Sequence, residues 1–213
     1  MVSVCIPVLR RYDLLWKLLK SLEKSTLKPE CVHIIDNGMN DAKIVHAIDG
    51  TTGLHIRVQT PNKPMGVAES WNWFIKNVPE ERVISNDDVT FAPGSLQAMV
   101  DTPGDFVSSL AEEHNAFSCF LLRDSCVKTV GLFDETISPG YGYFEDCDYG
   151  ERMLIAGVEL NGVQCGVKHL QSQTLRAATA MEMNVHHRKF LIAQNNYIKK
   201  WGRLPKGIER QYA

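Results

Sequence analysis

The chain has 213 residues, a formal net charge of −2 and 44% hydrophobic residues. That length fits one generous domain with a sizeable core, and the near-neutral charge excludes a molecule whose whole surface binds nucleic acid. We expect no membrane span and no signal peptide, because no apolar run approaches about eighteen residues and no basic leader precedes the first apolar segment. Six cysteines without a CxxC pair favour a reducing, cytoplasmic environment.

Short apolar strands alternate with helices in the first half of the chain. We predict strands at 2–8, 31–35, 54–59 and 82–85, and helices at 13–24, 41–49, 66–77 and after Pro93. This alternation predicts an α/β fold, with a mostly parallel, Rossmann-like sheet that has helices on both faces. In such open sheets, ligands bind beyond the carboxyl ends of the strands.

The second half is less regular. We predict strands at 106–110, 117–122 and 163–168, and helices at 124–130, 149–156 and 181–201, with the acidic run 145–148 opening the second of these helices. No internal repeat or clear linker interrupts the chain, so a single domain is expected.

Two adjacent carboxylates follow the fourth predicted strand, in the run Asn86, Asp87 and Asp88. Like charges this close resist ionisation unless positive charge holds them. Mg²⁺ and Mn²⁺ are commonly bound by one or two carboxylates together with substrate phosphates. Turns are also rich in Asp and Asn, so the pattern alone leaves a metal site and a plain turn open.

Three other groups carry candidate chemistry. Asp36 ends the second strand, where it suits either a hydrogen bond to a base or ribose or an Asp-Asn-Gly turn. Glu145 and Asp146 suit either a general base or the acidic start of a helix. His169 follows the last strand, as either a metal ligand or a structural histidine.

The C-terminal segment is basic. Residues 186–213 contain seven Lys or Arg and one acid, Glu209, together with several aromatic residues. This pattern predicts contact with nucleic acid or an anionic membrane surface, or else a solvated helix face over a packed aromatic underside. His186 and His187 lie here and are assigned to the surface or to a contact of the tail.

Several segments in sequence order resemble a known family. They are IPVLRRYDLLWKLLKSL, IIDNG, NKPMGVAESWNW, ISNDDVTFAPGSL, VGLFDE, YFEDCDYGERMLIAG and VKHLQSQT. Together they resemble the metal-dependent glycosyltransferases of family 2, which have the A-type fold, and especially the rhamnosyltransferase-like members. The resemblance covers about residues 2–174, and NDD and FEDCD are its most specific parts.

The resemblance implies transfer of a sugar from a nucleotide-diphosphate sugar, a UDP-sugar by preference, to an acceptor hydroxyl with inversion. It implies an N-terminal half, 1–88, that binds the donor, an acceptor and catalytic half, 89–180, and a C-terminal helix and basic tail, 181–213. The implied donor-binding residues are Pro7, Val8, Arg10, Asp36, Asn62, Gly66, Asn72, Asn86 and Asp87.

The resemblance also assigns the chemistry. Asp88 is implied as the direct ligand of Mn²⁺ or Mg²⁺, and His169 as a second ligand. Asp146 is implied as the catalytic base, with Glu145 beside it. A metal at one acidic group and a proton acceptor at the other agree with a transfer in which a diphosphate departs and a hydroxyl attacks.

Two other functions remain open from the sequence. A nucleotidyltransferase uses a similar nucleotide-binding half, but its glycine-rich loop has no counterpart in residues 8–12. A non-catalytic sugar- or nucleic-acid-binding module could use the same frame, although the acids at 36, 87, 88, 145 and 146 are all present. The acceptor is also open: a saccharide, a lipid-linked sugar, a protein side chain or a modified nucleic-acid base.

Overall fold

The computed structural model of the chain describes residues 1–79, 81–109, 116–170 and 179–205. Within them, seven strands form one sheet in the order β3-β2-β1-β4-β7-β6-β8, and β5 and β9 form a separate pair. The strands are β1 Val2–Val8, β2 Val32–Asp36, β3 Ile56–Gln59, β4 Glu81–Ser85, β5 Val89–Thr90, β6 Phe106–Ser109, β7 Cys119–Leu122, β8 Leu160–Val163 and β9 Lys168–His169. The helices are α1 Tyr12–Leu22, α2 Asp41–Ile48, α3 Val67–Asn77, α4 Ser95–Asp101, α5 Asp124–Val130, α6 Glu145–Ile155 and α7 Ala180–Trp201.

The sheet is mostly parallel, as predicted. β1 pairs in parallel with β2 on one side and β4 on the other, whereas β7 runs antiparallel to both β4 and β6. The strand order runs from β1 to β2 and β3 on one side and from β1 to β4 on the other, so it reverses at β1. The carboxyl ends of β1 and β4 lie next to each other at one edge of the sheet. A crevice is expected there, because ligands bind at the carboxyl ends of the strands where the strand order reverses.

Helices cover both faces of the sheet. The leucines of α1 recur at helical spacing and are buried with α2, α4 and alternate residues of β1 in one core. On the other face, Trp71, Phe74, Tyr149 and Met153 of α3 and α6 pack on Phe120 and its neighbours. A third cluster joins α7 to the segment before α6.

The predicted strand 163–168 is wrong in its extent. The structure has β8 ending at Val163 and the short β9 beginning at Lys168, with no strand between them. Gly166, at φ 75°, interrupts the extended conformation. β9 instead pairs antiparallel with β5, which the sequence did not predict.

Some predictions fall outside the described residues. These are Leu110 at the end of a predicted strand, residues 171–174 of the last motif, and Lys206, Glu209, Arg210 and Tyr212 of the basic tail. No helix in the described part of the chain is long and apolar enough to cross a bilayer.

Candidate active site

A cleft of about 730 Å³ opens at the carboxyl ends of β1 and β4. β1 and its following loop contribute Pro7, Val8, Leu9 and Arg10 to the lining. The segment after β4 adds Asn86, Asp87 and Asp88, and β9 adds His169. The structure therefore brings together eight predicted site residues that are far apart in sequence: Pro7, Val8, Arg10, Gly66, Asn86, Asp87, Asp88 and His169.

Asp88 and His169 are in direct contact. Oδ1 of Asp88 lies 3.0 Å from Nε2 of His169, and both side chains are largely buried. The β5–β9 pairing fixes this geometry, since Val89 pairs with His169 and the Leu170 N–H donates to the Asp88 carbonyl at 2.9 Å. A carboxylate oxygen and an imidazole nitrogen thus face one another at the cleft.

Asp87 lines the same cleft in an unfavourable setting for charge. Burial, with the neighbouring Asp88 carboxylate adding to it, raises the pKa of Asp87 to about 7. The nearby Arg11 guanidinium opposes this rise only weakly. Two carboxylates therefore share a site in which one of them tends to hold its proton.

The loop before α6 forms the opposite wall. Gly140, Tyr141, Gly142 and Tyr143 line the cleft, and the Val67 N–H donates to the Tyr141 carbonyl at 2.8 Å. A Cβ on Gly66 would lie only 2.7 Å from the Tyr141 backbone nitrogen. The start of α3 and this loop can approach so closely because residue 66 has no side chain.

Glu145 and Asp146 lie directly behind this wall, at the start of α6. Oε1 of Glu145 would be 3.2 Å from a Cβ on Gly142, and Oε2 has no hydrogen-bond partner within the described structure. Burial, with the Asp146 charge adding to it, raises the pKa of Glu145 to about 8. Burial also raises the pKa of Asp146. Neither carboxylate is among the cleft-lining groups, so the predicted base reaches the cleft only past Gly142 and Tyr143.

The backbone that presents these acids is strained. Phe144, which precedes α6, has φ 66°, a left-handed conformation that is uncommon for a residue with a side chain. Its ring packs against Phe190 and Tyr197 of α7, with centroids 5.1 and 5.7 Å away. The long helix therefore holds the conformation that starts α6, and such strain tends to occur at functional sites.

The first turns of α7 close one side of the cleft. Glu182, Val185 and His186 line it, and Nδ1 of His186 lies 3.0 Å from the Tyr143 hydroxyl. The Arg10 guanidinium pairs with Glu182 across the opening. Nothing in the sequence indicated that His186, predicted as a surface or tail contact, lies at the cleft.

Three predicted donor-binding residues are not brought to the cleft. Asp36 is fully buried and accepts hydrogen bonds from the Tyr12 hydroxyl at 2.5 Å and from two backbone N–H groups. A donor contact by Asp36 remains a prediction that requires Tyr12 to move away. Asn62 is exposed on the loop before the cleft.

Asn72 was predicted to contact the nucleotide-sugar donor, but its side chain instead makes hydrogen bonds within the protein. Its Nδ2 donates to the Phe133 carbonyl at 2.9 Å and to Glu135 at 2.7 Å, and its Oδ1 accepts from the Phe133 N–H. These bonds join α3 to the loop after α5 and leave neither polar atom of Asn72 facing the cleft.

Part of the basic C-terminal segment forms ion pairs within the protein. Lys200 pairs with Asp134 at 2.7 Å and Asp148 at 2.6 Å, and Arg203 pairs with Glu151 at 2.8 Å. Trp201 donates its Nε1–H to Asp148 at 2.9 Å. The packed aromatic underside is therefore present, and two of the predicted surface cations are used to dock α7.

Sequence reasoning missed several cleft residues. Asn37, next to Asp36, accepts from the Met65 N–H at 2.9 Å and donates to Ser70 at 3.1 Å, which fixes the wall before α3. Tyr141 and Tyr143 carried no predicted role. Their position just before the acidic run was the available signal, whereas nothing in the sequence linked α7 to the cleft.

Asp88 and His169 suit a divalent cation that also has ligands from substrate. No group of three His, Cys, Asp or Glu side chains that could hold a metal occurs in residues 1–79, 81–109, 116–170 and 179–205. Mg²⁺ and Mn²⁺ in nucleotide sites usually take few protein ligands and complete their coordination with phosphate and water. One carboxylate and one imidazole at an open cleft fit that pattern.

The comparisons with known proteins agree with the fold. The glycosyl transferase family 2 model matches residues 3–104, and no curated protein matches the chain. A mannosyltransferase from Pyrobaculum calidifontis in complex with GDP-Man and Mn²⁺ is 13% identical, with a TM-score of 0.63 over 96% of this chain and 76% of that one. Glucosyl-3-phosphoglycerate synthase from Mycobacterium tuberculosis, in complex with Mn²⁺, UDP and glucosyl-3-phosphoglycerate, is 14% identical, with a TM-score of 0.62 over 97% of this chain and 82% of that one.

A third similar structure is S. aureus TarS 1–349, which is 12% identical, with a TM-score of 0.61 over 100% of this chain and 75% of that one. At these identities the structures establish the fold, while the rhamnosyltransferase-like specificity remains a prediction. The protein therefore has the A-type glycosyltransferase fold of these structures, and residues 3–104 match the glycosyl transferase family 2 model.

Proposed function

We propose that the protein transfers a sugar from a nucleotide-diphosphate sugar to an acceptor hydroxyl, with a divalent cation at Asp88 and His169. The observation that carries the proposal is the contact between these two side chains at the carboxyl end of β4, inside a cleft of about 730 Å³. That volume suits a nucleotide-sized ligand. The similar structures that hold GDP-Man or UDP with Mn²⁺ add support.

Each wall of the cleft has a role in this proposal. The β1 end, at Pro7 and Val8, and the Asn37–Met65 wall would hold the nucleoside. Asn86 and Asp87 would border the diphosphate beside Asp88. A cation bound there supplies positive charge to the departing diphosphate.

The proton acceptor in this proposal comes from the start of α6, behind the opposite wall, and would have to reach the acceptor hydroxyl past that wall. We assign it to Asp146, with Glu145 as a second acid that burial keeps largely protonated at neutral pH. Asp146 would take the proton of the acceptor hydroxyl as that oxygen attacks the anomeric carbon. Attack from the side opposite the diphosphate would give inversion.

The acceptor would lie in the cleft along the wall that Tyr143, Val185 and His186 form. Saccharide, lipid-linked sugar, protein and modified nucleic-acid base all remain candidate acceptors. Among the described residues of the basic segment, a contact with nucleic acid or an anionic membrane would use the exposed Arg188 and Lys199, because Lys200 and Arg203 are paired.

The alternative functions make different demands. A nucleotidyltransferase would attack the α-phosphate and release diphosphate, whereas the proposed enzyme releases an intact nucleoside diphosphate. A non-catalytic module would bind the same donors without any turnover.

A donor panel tests the proposal. The protein is incubated with UDP-, dTDP- and GDP-sugars, with Mn²⁺ or with a chelator, and the released nucleotide is identified by mass spectrometry. We expect Mn²⁺-dependent release of nucleoside diphosphate from at least one donor, with UDP-sugars preferred. Release of a sugar phosphate, with transfer of the nucleoside monophosphate, would favour nucleotidyl transfer, and binding of a donor without release of any nucleotide would favour the binding module.

A further inference from the structure

Ser118 stands directly behind the histidine of the candidate cation site. Its hydroxyl oxygen lies 3.3 Å from Nδ1 of His169, while Nε2 of the same ring lies 3.0 Å from Asp88. Ser118 is 1% exposed, so bulk water does not compete for this contact. Its carbonyl accepts from the Asn86 N–H at 2.8 Å, which ties it to the segment that carries Asp87 and Asp88.

The three side chains determine where the imidazole proton lies. An ionised carboxylate only accepts hydrogen bonds, so the short contact to Asp88 places a proton on Nε2 of His169. In the neutral ring Nδ1 then has a lone pair and accepts the Ser118 O–H. A cation requires the reverse, because it binds the Nε2 lone pair and leaves the proton on Nδ1.

A serine hydroxyl can serve both arrangements because it donates and accepts. Resting on the cation site proposed above, we infer that Ser118 is a positioning residue that lets His169 exchange tautomers when a cation binds. Nε2 gives its proton to solvent and Nδ1 takes one from solvent as the ring turns in the cleft, where 11% of the His169 side chain is exposed, and the Ser118 hydroxyl turns from donor to acceptor. The Asp88 oxygen released by Nε2 then faces the cation.

The backbone contacts of β9 do not fix the orientation of the His169 ring, so the Ser118 side chain must do so. The β5–β9 pairing and the Leu170 N–H bond fix the position of His169 relative to Asp88 but not the plane of its ring. A buried partner on the distal nitrogen is what fixes ring orientation and tautomer in metal-binding histidines. Among the described residues, Ser118 occupies that place.

The first test reads the proton directly. Long-range ¹⁵N NMR of histidine-labelled protein should show His169 protonated on Nε2 without metal, and on Nδ1 when diamagnetic Cd²⁺ is added. A His169→Gln variant assigns the signals. A proton on Nδ1 in the metal-free protein would overturn the inference, whatever the protein's activity.

The second test measures the binding of Mn²⁺ by electron paramagnetic resonance, with and without UDP or GDP. Ser118→Ala should weaken binding by about 10–100-fold, the usual effect of removing such a partner, and Ser118→Thr should restore part of it. The matched control is Ser109→Ala, which removes a hydroxyl that is also 1% exposed but donates to the Cys119 carbonyl at 2.9 Å.

The outcomes separate the two proposals. Equal Mn²⁺ affinity in the Ser118→Ala and Ser109→Ala variants would overturn the role of Ser118 and leave the cation site intact. Absence of Mn²⁺ binding by the unmodified protein would overturn the cation site, and the tautomer exchange with it.

Discussion

Replacing Asp88 with alanine is expected to abolish Mn²⁺-dependent binding of the nucleotide donor. Asp88 supplies the only carboxylate in direct contact with His169 among the described residues, and a cation held between them loses its charged ligand in the variant. Because even the loss of an outer partner costs about 10–100-fold in metal affinity, we expect a loss of more than about 100-fold. Calorimetry with nucleoside diphosphate, with and without Mn²⁺, measures it.

The controls for this prediction separate charge from shape. Asp88→Asn keeps the size of the side chain and an oxygen that can accept from His169, yet it removes the charge, so we expect it to lose nearly as much affinity. Asp49→Ala removes an exposed carboxylate at the end of α2 and should change nothing measurable. Mn²⁺-dependent binding retained in Asp88→Ala would remove the cation from this position.

Replacing Asp146 with asparagine is expected to leave donor binding intact and to stop transfer. The variant keeps a side-chain oxygen for the Cys147 N–H, which Asp146 binds at 2.8 Å, but it cannot take a proton. General-base catalysis typically contributes about 10²–10⁴-fold, so kcat should fall by that factor with little change in the donor Kd. Glu145→Gln should have a smaller effect.

The dependence of the rate on pH distinguishes the two acids. The base must be ionised, so kcat falls as the pH drops through its pKa. Burial raises the pKa of Asp146 above its ordinary value of 3.8, and that of Glu145 to about 8. An acidic limb that is lost in Asp146→Asn fits our assignment, whereas a limb near pH 8 that is lost in Glu145→Gln moves the base to Glu145.

The strands and helices of the first half could be predicted because each carries a strong local pattern. The leucines of α1 and the apolar run of β1 recur at the spacing of one face, and burial follows from it. The meeting of Asp88 with the end of β1 follows too, because neighbouring parallel strands end at one edge. The direction of β7 and the β5–β9 pair could not be predicted, because they depend on contacts between distant segments.

The same distinction holds within the site. Asp88 and His169 lie 81 positions apart, and only the resemblance to a family linked them before the structure showed a contact of 3.0 Å. The role of Asn72 could not be predicted, because the sequence does not show whether its amide contacts a ligand or, as in the structure, the loop after α5. His186 and Glu182 reach the cleft through the docking of α7, which depends on ion pairs such as Lys200 with Asp148.

The central claim is that one cation joins His169 and Asp88 to the diphosphate of the donor. Pulsed electron paramagnetic resonance on Mn²⁺ bound to the ¹⁵N-histidine-labelled protein with a nucleoside diphosphate tests it directly. We predict couplings from both ³¹P and a histidine nitrogen on the same ion, with the nitrogen coupling lost in His169→Gln. A bound ion with phosphorus coupling but no histidine nitrogen, or with neither, would contradict the claim.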